Sequence, residues 1–328
     1  MKINASESEG VKAPCIRNVK VRKVSLNTDM YDYIKSIVPR ERLLFDEPMS
    51  NHTTFRVGGE ADCMILIEEE DELLKLIPFF RKIEQDYFVL GNGSNLLVGD
   101  KGYRGIVLKL GEGMKQIIVE ENCIHVQAGA LLSATAVVAR DAGLTGMEFA
   151  AGIPGSVGGA IVMNAGAYDG EMKQIVESVK VMNQEGEIMV LDNDTMEFGY
   201  RTSIIKNRPF VVLEVVLQLQ TGDKDEIQAK MDELAEKRRS KQPLNYPSAG
   251  STFKRPEGHF AGKLIMEANM RGFRIGGAQV SEKHCGFVVN TGKATAADIK
   301  EVIEEVQTRV KERFHVTLEP EVIFLGEF

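Results

Sequence analysis

Cysteine and histidine are sparse in this sequence, and neither falls into a pattern that carries chemistry. Cys15, Cys63, Cys123 and Cys285 show no C-x-x-C spacing, and four cysteines in 328 residues make no disulfide framework, so reduced thiols are expected. His52, His125, His259, His284 and His315 form no H-x-x-x-H or H-E-x-x-H pair, so no metal centre is expected. Long apolar runs are missing too. None approaches the ~20 residues of a membrane span, and the opening M-K-I-N-A-S-E has no apolar signal-peptide core. The expectation is a cytoplasmic protein with no membrane insertion. Positive charge is also in deficit. A formal net charge of −8 leaves no basic stripe for a phosphate backbone, so nucleic acid is not an expected partner. No repeat or low-complexity tract is found, and nothing points to an obligate protein partner. At 328 residues the chain exceeds what one core usually sustains, so two or three domains are expected.

Glycine, by contrast, is concentrated. The run G-N-G-S-N-L-L-V at 91–98 stands between the apolar stretches 87–90 and 96–98, which predicts a tight turn joining two strands. Its backbone N–H groups can converge on an anion such as a pyrophosphate. A Rossmann turn would need glycine where Leu96 stands, and a helix where the chain continues as strand. The second run, A-A-G-I-P-G-S-V-G-G-A-I-V-M-N-A-G-A-Y at 150–168, holds too many glycines for any single helix or strand. Its apolar members Ile153, Val157, Ile161, Val162 and Met163 suit a segment packed around a flat ligand rather than a solvated loop.

Periodicity organises the rest. A helix is expected over 28–38, a strand at 63–67, and a helical stretch through Leu73, Leu74 and Ile77 that Pro78 should kink or shorten. From 105 to 219 the pattern is strand-rich, with strands at 106–110, 117–119, 124–126, 176–182 and 210–219 and one helix at 131–142. A charged amphipathic helix follows at 225–241. The last helix, opened by Thr295, sets Ile299, Val302, Ile303, Val306 and Val310 on one face. In the strand expected at 316–324, Val316, Leu318, Val322 and Phe324 share one face, leaving Glu319 and Glu321 on the other.

Together with G-Y-R-T-S at 199–203, A-G-S-T-F-K at 249–254 and L-E-P-E-V at 318–322, the two glycine runs resemble the UDP-N-acetylenolpyruvoylglucosamine reductases. These flavoenzymes complete UDP-N-acetylmuramate for bacterial peptidoglycan, and the match runs in order from about Asn51 onward. Residues 1–25, polar and mixed in charge, read as a disordered leader or a vector-derived extension, and the resemblance implies an α+β fold with a two-lobed FAD-binding part of the vanillyl-alcohol-oxidase (PCMH) type, its lobes at 26–104 and 105–222. An α+β substrate-binding domain at 223–315 and a strand at 316–328 returning to the active site complete it. FAD is expected to be held non-covalently against Gly91, Asn92, Gly93, Ser94, Asn95, Leu96, Ile153, Pro154, Gly155, Ser156, Gly158, Gly159, Asn164, Ala165 and Gly166. NADPH is the implied reductant and a UDP-sugar the substrate.

The same resemblance assigns catalysis to Arg201, Ser251 and Glu321. Taken alone, Ser251 is a turn former and Arg201 a solvated arginine. In the family pattern the matching serine protonates the carbanion carbon, the arginine acts at the catalytic centre, and the second glutamate of E-P-E is catalytic. Reduction of an enolpyruvyl ether needs a hydride, a proton and a group to hold the charge in between, and a guanidinium suits the last task. A serine hydroxyl is a poor acid, so Lys241 or Lys254 is expected nearby. Substrate contacts are expected at Tyr200, Lys241, Lys254, Arg255 and His259, with Lys263 a further basic candidate. The segment 204–250 has no room for the tyrosine-bearing loop of the longer branch, so the chain resembles the shorter one. Arg255 and Glu267 stand where that longer branch has Asn and Gln. A tethered-flavin oxidase on the same fold and a catalytically silent nucleotide-sugar binding module are the competing readings.

Overall fold

The computed structural model describes residues 28–328, so the leader expected at 1–25 and Cys15 lie outside the described residues. Two of the three buried cores among the described residues organise most of the chain. The larger is shared by two sheets. One sheet has four strands in the order Leu43–Pro48, Glu60–Ile67, Tyr103–Leu110, Tyr87–Leu90, the last three mutually parallel. The other is antiparallel and five-stranded, in the order Ile188–Asp192, Val176–Met182, Val211–Gln218, Cys123–Gln127, Ile117–Glu120.

Several boundaries differ from those the pattern predicts. Tyr103–Leu110 was expected in the second lobe, yet it pairs inside the first sheet with Glu60–Ile67 and Tyr87–Leu90. Its burial on both faces, from Gly105 to Leu108, suits a central parallel strand. Helix Glu70–Lys82 runs through Pro78 and ends beyond it. Leu73, Leu76, Ile77 and Phe80 are all fully buried on both sides of the proline, and this packing holds the turn that Pro78 deprives of a hydrogen bond.

The second glycine run contains a helix after all, Val157–Met163, with Gly158 and Gly159 inside it. Ser156 caps it, accepting from the Gly159 N–H at 3.4 Å. A Cβ on Gly158 would sit 2.9 Å from that of Ala128, so glycine here lets the helix lie against the neighbouring chain. Helix content that propensity would forbid is supplied by burial of Val157, Ala160 and Ile161.

The charged helix spans Lys224–Lys241 and is capped by Asp223. The expected boundary at 223 would group it with the substrate domain, but Ile227 and Met231 are buried in the larger core. The helix packs against the helix Leu132–Asp141 and the turn Glu148–Ala150. The second core joins the small sheet Arg274–Ile275, Ala278–Val280, Val288–Asn290 to the helix Ala296–Phe314. Thr295 opens that helix in a capping box, and its apolar stripe from Ile299 to Val310 is buried there.

The strand expected at 316–324 is regular only over Ile323–Leu325, where it pairs in parallel with Leu96–Val98. Pro320 lacks the N–H a ladder needs, and only an isolated bridge to Phe253 forms at that point. The strands flanking the first glycine run therefore do not pair with each other. Tyr87–Leu90 joins the four-stranded sheet and Leu96–Val98 joins Ile323–Leu325. Among the described residues no helix is long and apolar enough to cross a membrane, and no group of three or more His, Cys, Asp or Glu could hold a metal ion.

Candidate active site

Two cavities meet at four side chains. The wider, about 1040 Å³, runs between the glycine-rich segments. The narrower, about 400 Å³, opens into the C-terminal part. Arg201, Ser251, His284 and Glu321 line both.

The wide cavity is walled mainly by backbone. Gly91, Asn92, Gly93, Ser94, Asn95 and Leu96 line one side, and Ile153, Pro154, Gly155, Ser156, Gly158, Gly159, Ala165 and Gly166 line the other. The N–H groups of Asn92, Gly93 and Ser94 donate to no acceptor among the described residues, so they remain available to an anion. Gly93 has φ +61°, and a Cβ there would lie 1.9 Å from the His52 carbonyl oxygen. The glycine is thus demanded by the protein behind the loop. That leaves the other side of its backbone bare to the cavity. Asn92 ties the two walls together, its Nδ2 donating to the Pro154 carbonyl at 2.6 Å. Asn164 was expected among these residues but does not line the cavity; its side chain is turned into the protein.

Arg201 sits on a turn closed by Gly199 N–H to Thr202 O at 3.1 Å and Thr202 N–H to Gly199 O at 3.3 Å. Its own φ is +56°, in the left-handed region that a β-carbon disfavours by about 1–2 kcal/mol. Such backbone persists only where its surroundings over-determine it. Here the guanidinium donates from Nε to Glu321 Oε1 at 2.9 Å and from Nη2 to the Gly166 carbonyl at 3.0 Å. It also lies 5.1 Å from the centroid of the Tyr200 ring.

Glu321 and Ser251 are placed by one short ladder. Glu321 N–H donates to Thr252 O at 2.8 Å and Lys254 N–H to Glu319 O at 2.9 Å, which holds the two segments side by side. Thr252 is fully buried, with its hydroxyl accepting from Val288 N–H at 2.9 Å, while neighbouring Ser251 is exposed to the cavities. Asn95, from the first glycine run, donates to the Glu321 carbonyl at 3.0 Å. The main chain that carries the carboxylate is therefore fastened to the wall of the wide cavity. Burial pushes the Glu321 carboxyl above its ordinary value and outweighs the opposing pull of Arg201, then of Lys206 and Lys254.

The narrow cavity is built from side chains. Arg255, Lys263 and Arg271 line it beside Tyr200, Phe253, Phe260 and Met266, with Glu321 the sole carboxylate in its lining among the described residues. The Arg255 guanidinium lies 3.9 Å from the Phe260 ring centroid, and Tyr200 Oη accepts from Arg255 N–H at 3.0 Å. This is an electropositive pocket with aromatic walls, suited to an anion carrying a flat ring. Of the other expected contacts, Lys241 lines the wide cavity. Lys254 and His259 line neither: Lys254 Nζ is paired with Glu319 Oε2 at 2.9 Å, and His259 is exposed.

His284 and Arg271 were not singled out from sequence. Burial lowers the His284 pKa, favouring the neutral ring. Its Nδ1 takes the Gly286 N–H at 3.1 Å, which leaves Nε2 as the donor. An S-x-x-H turn, with Ser281 Oγ accepting from His284 N–H at 3.3 Å, was the only local signal.

Residues 61–192 match the family described as FAD binding domain, and residues 242–325 match the C-terminal domain of UDP-N-acetylenolpyruvoylglucosamine reductase. A curated relative of that name from Caldanaerobacter subterraneus is 50% identical over 298 residues, covering 91% of this chain and 98% of its own length. The chain belongs to the UDP-N-acetylenolpyruvoylglucosamine reductase family. A relative of the same name from Clostridioides difficile is 48% identical over 92% of the chain and 99% of its own length. The crystal structure of the family's enzyme from Thermus caldophilus superposes with a TM-score of 0.74 at 37% identity, covering 87% of this chain and 98% of that one. Membership makes the protein an FAD-dependent oxidoreductase of the α+β class, and the wide cavity fits that cofactor. Its free N–H groups suit a pyrophosphate, and apolar residues such as Leu90, Leu132 and Val162 suit a flat ring system.

Proposed function

We propose that the protein reduces the enolpyruvyl ether of a UDP-N-acetylglucosamine derivative to the lactyl ether, UDP-N-acetylmuramate, with NADPH as the reductant. The observation that carries this reading is the meeting of the two cavities at Arg201, Ser251 and Glu321. FAD, held non-covalently between the two glycine-rich walls of the wide cavity, would supply the hydride that the methylene carbon of the substrate needs. Every remaining requirement falls on the protein.

Hydride arrival shifts an electron pair toward the substrate carboxylate. A positioned guanidinium in a site of low water content stabilises that charge, and Arg201, held at two of its nitrogens, is in place for it. Ser251 gives its proton to the carbon bearing the ether oxygen. With Lys254 paired to Glu319, Lys241 in the lining of the wide cavity is the expected cation remaining to support the serine oxygen. Burial favours the protonated form of Glu321, and in that form its carboxyl can donate to the same intermediate. In the narrow cavity, Arg255, Lys263 and Arg271 hold the diphosphate of the sugar nucleotide.

A direct test uses the colour of the purified protein. A yellow spectrum that bleaches with NADPH and recovers anaerobically on addition of the enolpyruvyl sugar nucleotide supports the reading. Failure to recover points to a different oxidant substrate, and flavin retained in the pellet after acid precipitation points to a tethered-flavin oxidase.

A further inference from the structure

Asn164 is 1% exposed, adopts φ +40° and ψ +58°, and ends the helix Val157–Met163. All of its amide hydrogens are used. Nδ2 donates to Glu171 Oε2 at 3.1 Å and to the Gly199 carbonyl at 3.1 Å, while Oδ1 accepts from Lys173 N–H at 2.9 Å. That last bond fixes which way the amide faces, since only the oxygen can accept. Gly199 O also receives Thr202 N–H, so both of its lone pairs are engaged by groups that close and anchor the Arg201 turn.

These contacts form a ring. From Asn164 a side-chain bond reaches Gly199, and the turn carries the path to Arg201. The guanidinium returns it to the Gly166 carbonyl, two residues beyond Asn164. Gly166 and Ala165 line the wide cavity, so the ring ties the cofactor wall to the arginine at the junction. A short polar residue suits this position, because asparagine tolerates the left-handed backbone and offers two donors from one atom.

We propose that Asn164 is a positioning residue for Arg201, fixing the left-handed turn at Gly199 against the cofactor wall so that the guanidinium meets the substrate carboxylate. This rests on the function proposed above. It also departs from the sequence pattern, which groups Asn164 with the cofactor contacts.

The test separates the two half-reactions of the full chain. Asn164→Gly keeps the left-handed backbone and removes the amide. Flavin content and the rate of bleaching by NADPH should stay within about twofold of wild type. Recovery of colour with the enolpyruvyl sugar nucleotide should slow by roughly 10–100-fold, the scale of a misplaced catalytic group. In an Arg201→Ala background, the same substitution should slow recovery no further. If Asn164→Gly fails to fold, Asn164→Asp preserves the shape, loses both donors and should give the same split. Unchanged recovery, or a full extra loss in the Arg201→Ala background, overturns the proposal. Loss of flavin or of bleaching in step with recovery overturns it as well and returns Asn164 to the cofactor. A wild-type protein whose colour never recovers refutes the function instead, which distinguishes the two failures.

Discussion

The wide cavity speaks to its ligand through main chain and the narrow one through side chains. Around the glycine runs, specificity resides in where N–H groups point, and the residues behind the wall act through main chain too, as the His52 carbonyl does on Gly93. Around Arg255, Phe260 and Arg271, specificity resides in charge and ring faces that a single codon can alter. Recognition of the first kind is coupled to folding, because moving the backbone moves the core. Recognition of the second kind is nearly independent of it. Substitutions on the two sides should therefore fail in different ways.

The largest effect is expected where the cavities join. Ser251→Ala should lower turnover by ~10²–10⁴-fold, the usual contribution of one general acid, while NADPH still bleaches the flavin. Stopped-flow absorbance decides it: bleaching that collapses together with turnover would make Ser251 structural. Arg201→Ala should lose ~10²–10³-fold, and Arg201→Lys much of that, since a point charge cannot reproduce the planar grip. The double variant Arg201→Ala with Glu321→Ala should lose less than the product of the single losses. Strict additivity would mean that the 2.9 Å pair does not act on one intermediate.

Away from the junction the two sides should diverge. Gly93→Ala places a β-carbon in left-handed backbone, a penalty of about 1–2 kcal/mol before the contact with His52 is counted, so both the unfolding midpoint and bound flavin should fall. Arg255→Ala should leave flavin content and melting temperature alone and raise KM for the sugar nucleotide by roughly tenfold, with kcat near wild type. An Arg255 variant that sheds flavin would erase the distinction between the cavities.

The smallest effect concerns pH. The Glu321 carboxyl titrates above its ordinary 4.5 in the folded protein, so the unfolded chain ionises first and the native state is penalised as pH rises through that interval. Below it, both states are protonated and no penalty exists. Glu321→Gln mimics the protonated form, and should therefore melt slightly higher than wild type at pH 8, with the gain shrinking toward pH 4. A gain that grows on acidification would contradict the raised pKa.

This contrast also explains what could be read from sequence. Glycine runs announce main-chain sites, because few other functions need so many, and every expected contact there except Asn164 lines the wide cavity. Asn164 sits in the same motif, but a motif cannot say which way one side chain faces. The alternation around Glu321 survives even though the chain there is mostly irregular, with Leu318 and Val322 buried and Glu321 at the junction. In the narrow cavity, Arg271 looks like any surface arginine until Met266 and the Glu282 carbonyl hold it in place. Lys254 and His259 had the right charge and no means of showing that one was already paired and the other lies elsewhere. The helix Lys224–Lys241 carried the correct apolar stripe, but a stripe does not name the core that receives it.

The bond from Asn95 to the Glu321 carbonyl spans 226 residues of chain. Translation delivers the two glycine-rich walls of the wide cavity long before the carboxylate that completes the junction. Closing so long a loop is entropically slow compared with forming local helices and hairpins. Catalytic competence should then lag behind flavin capture during refolding. The interval between the two is a clock set by contact order rather than by chemistry.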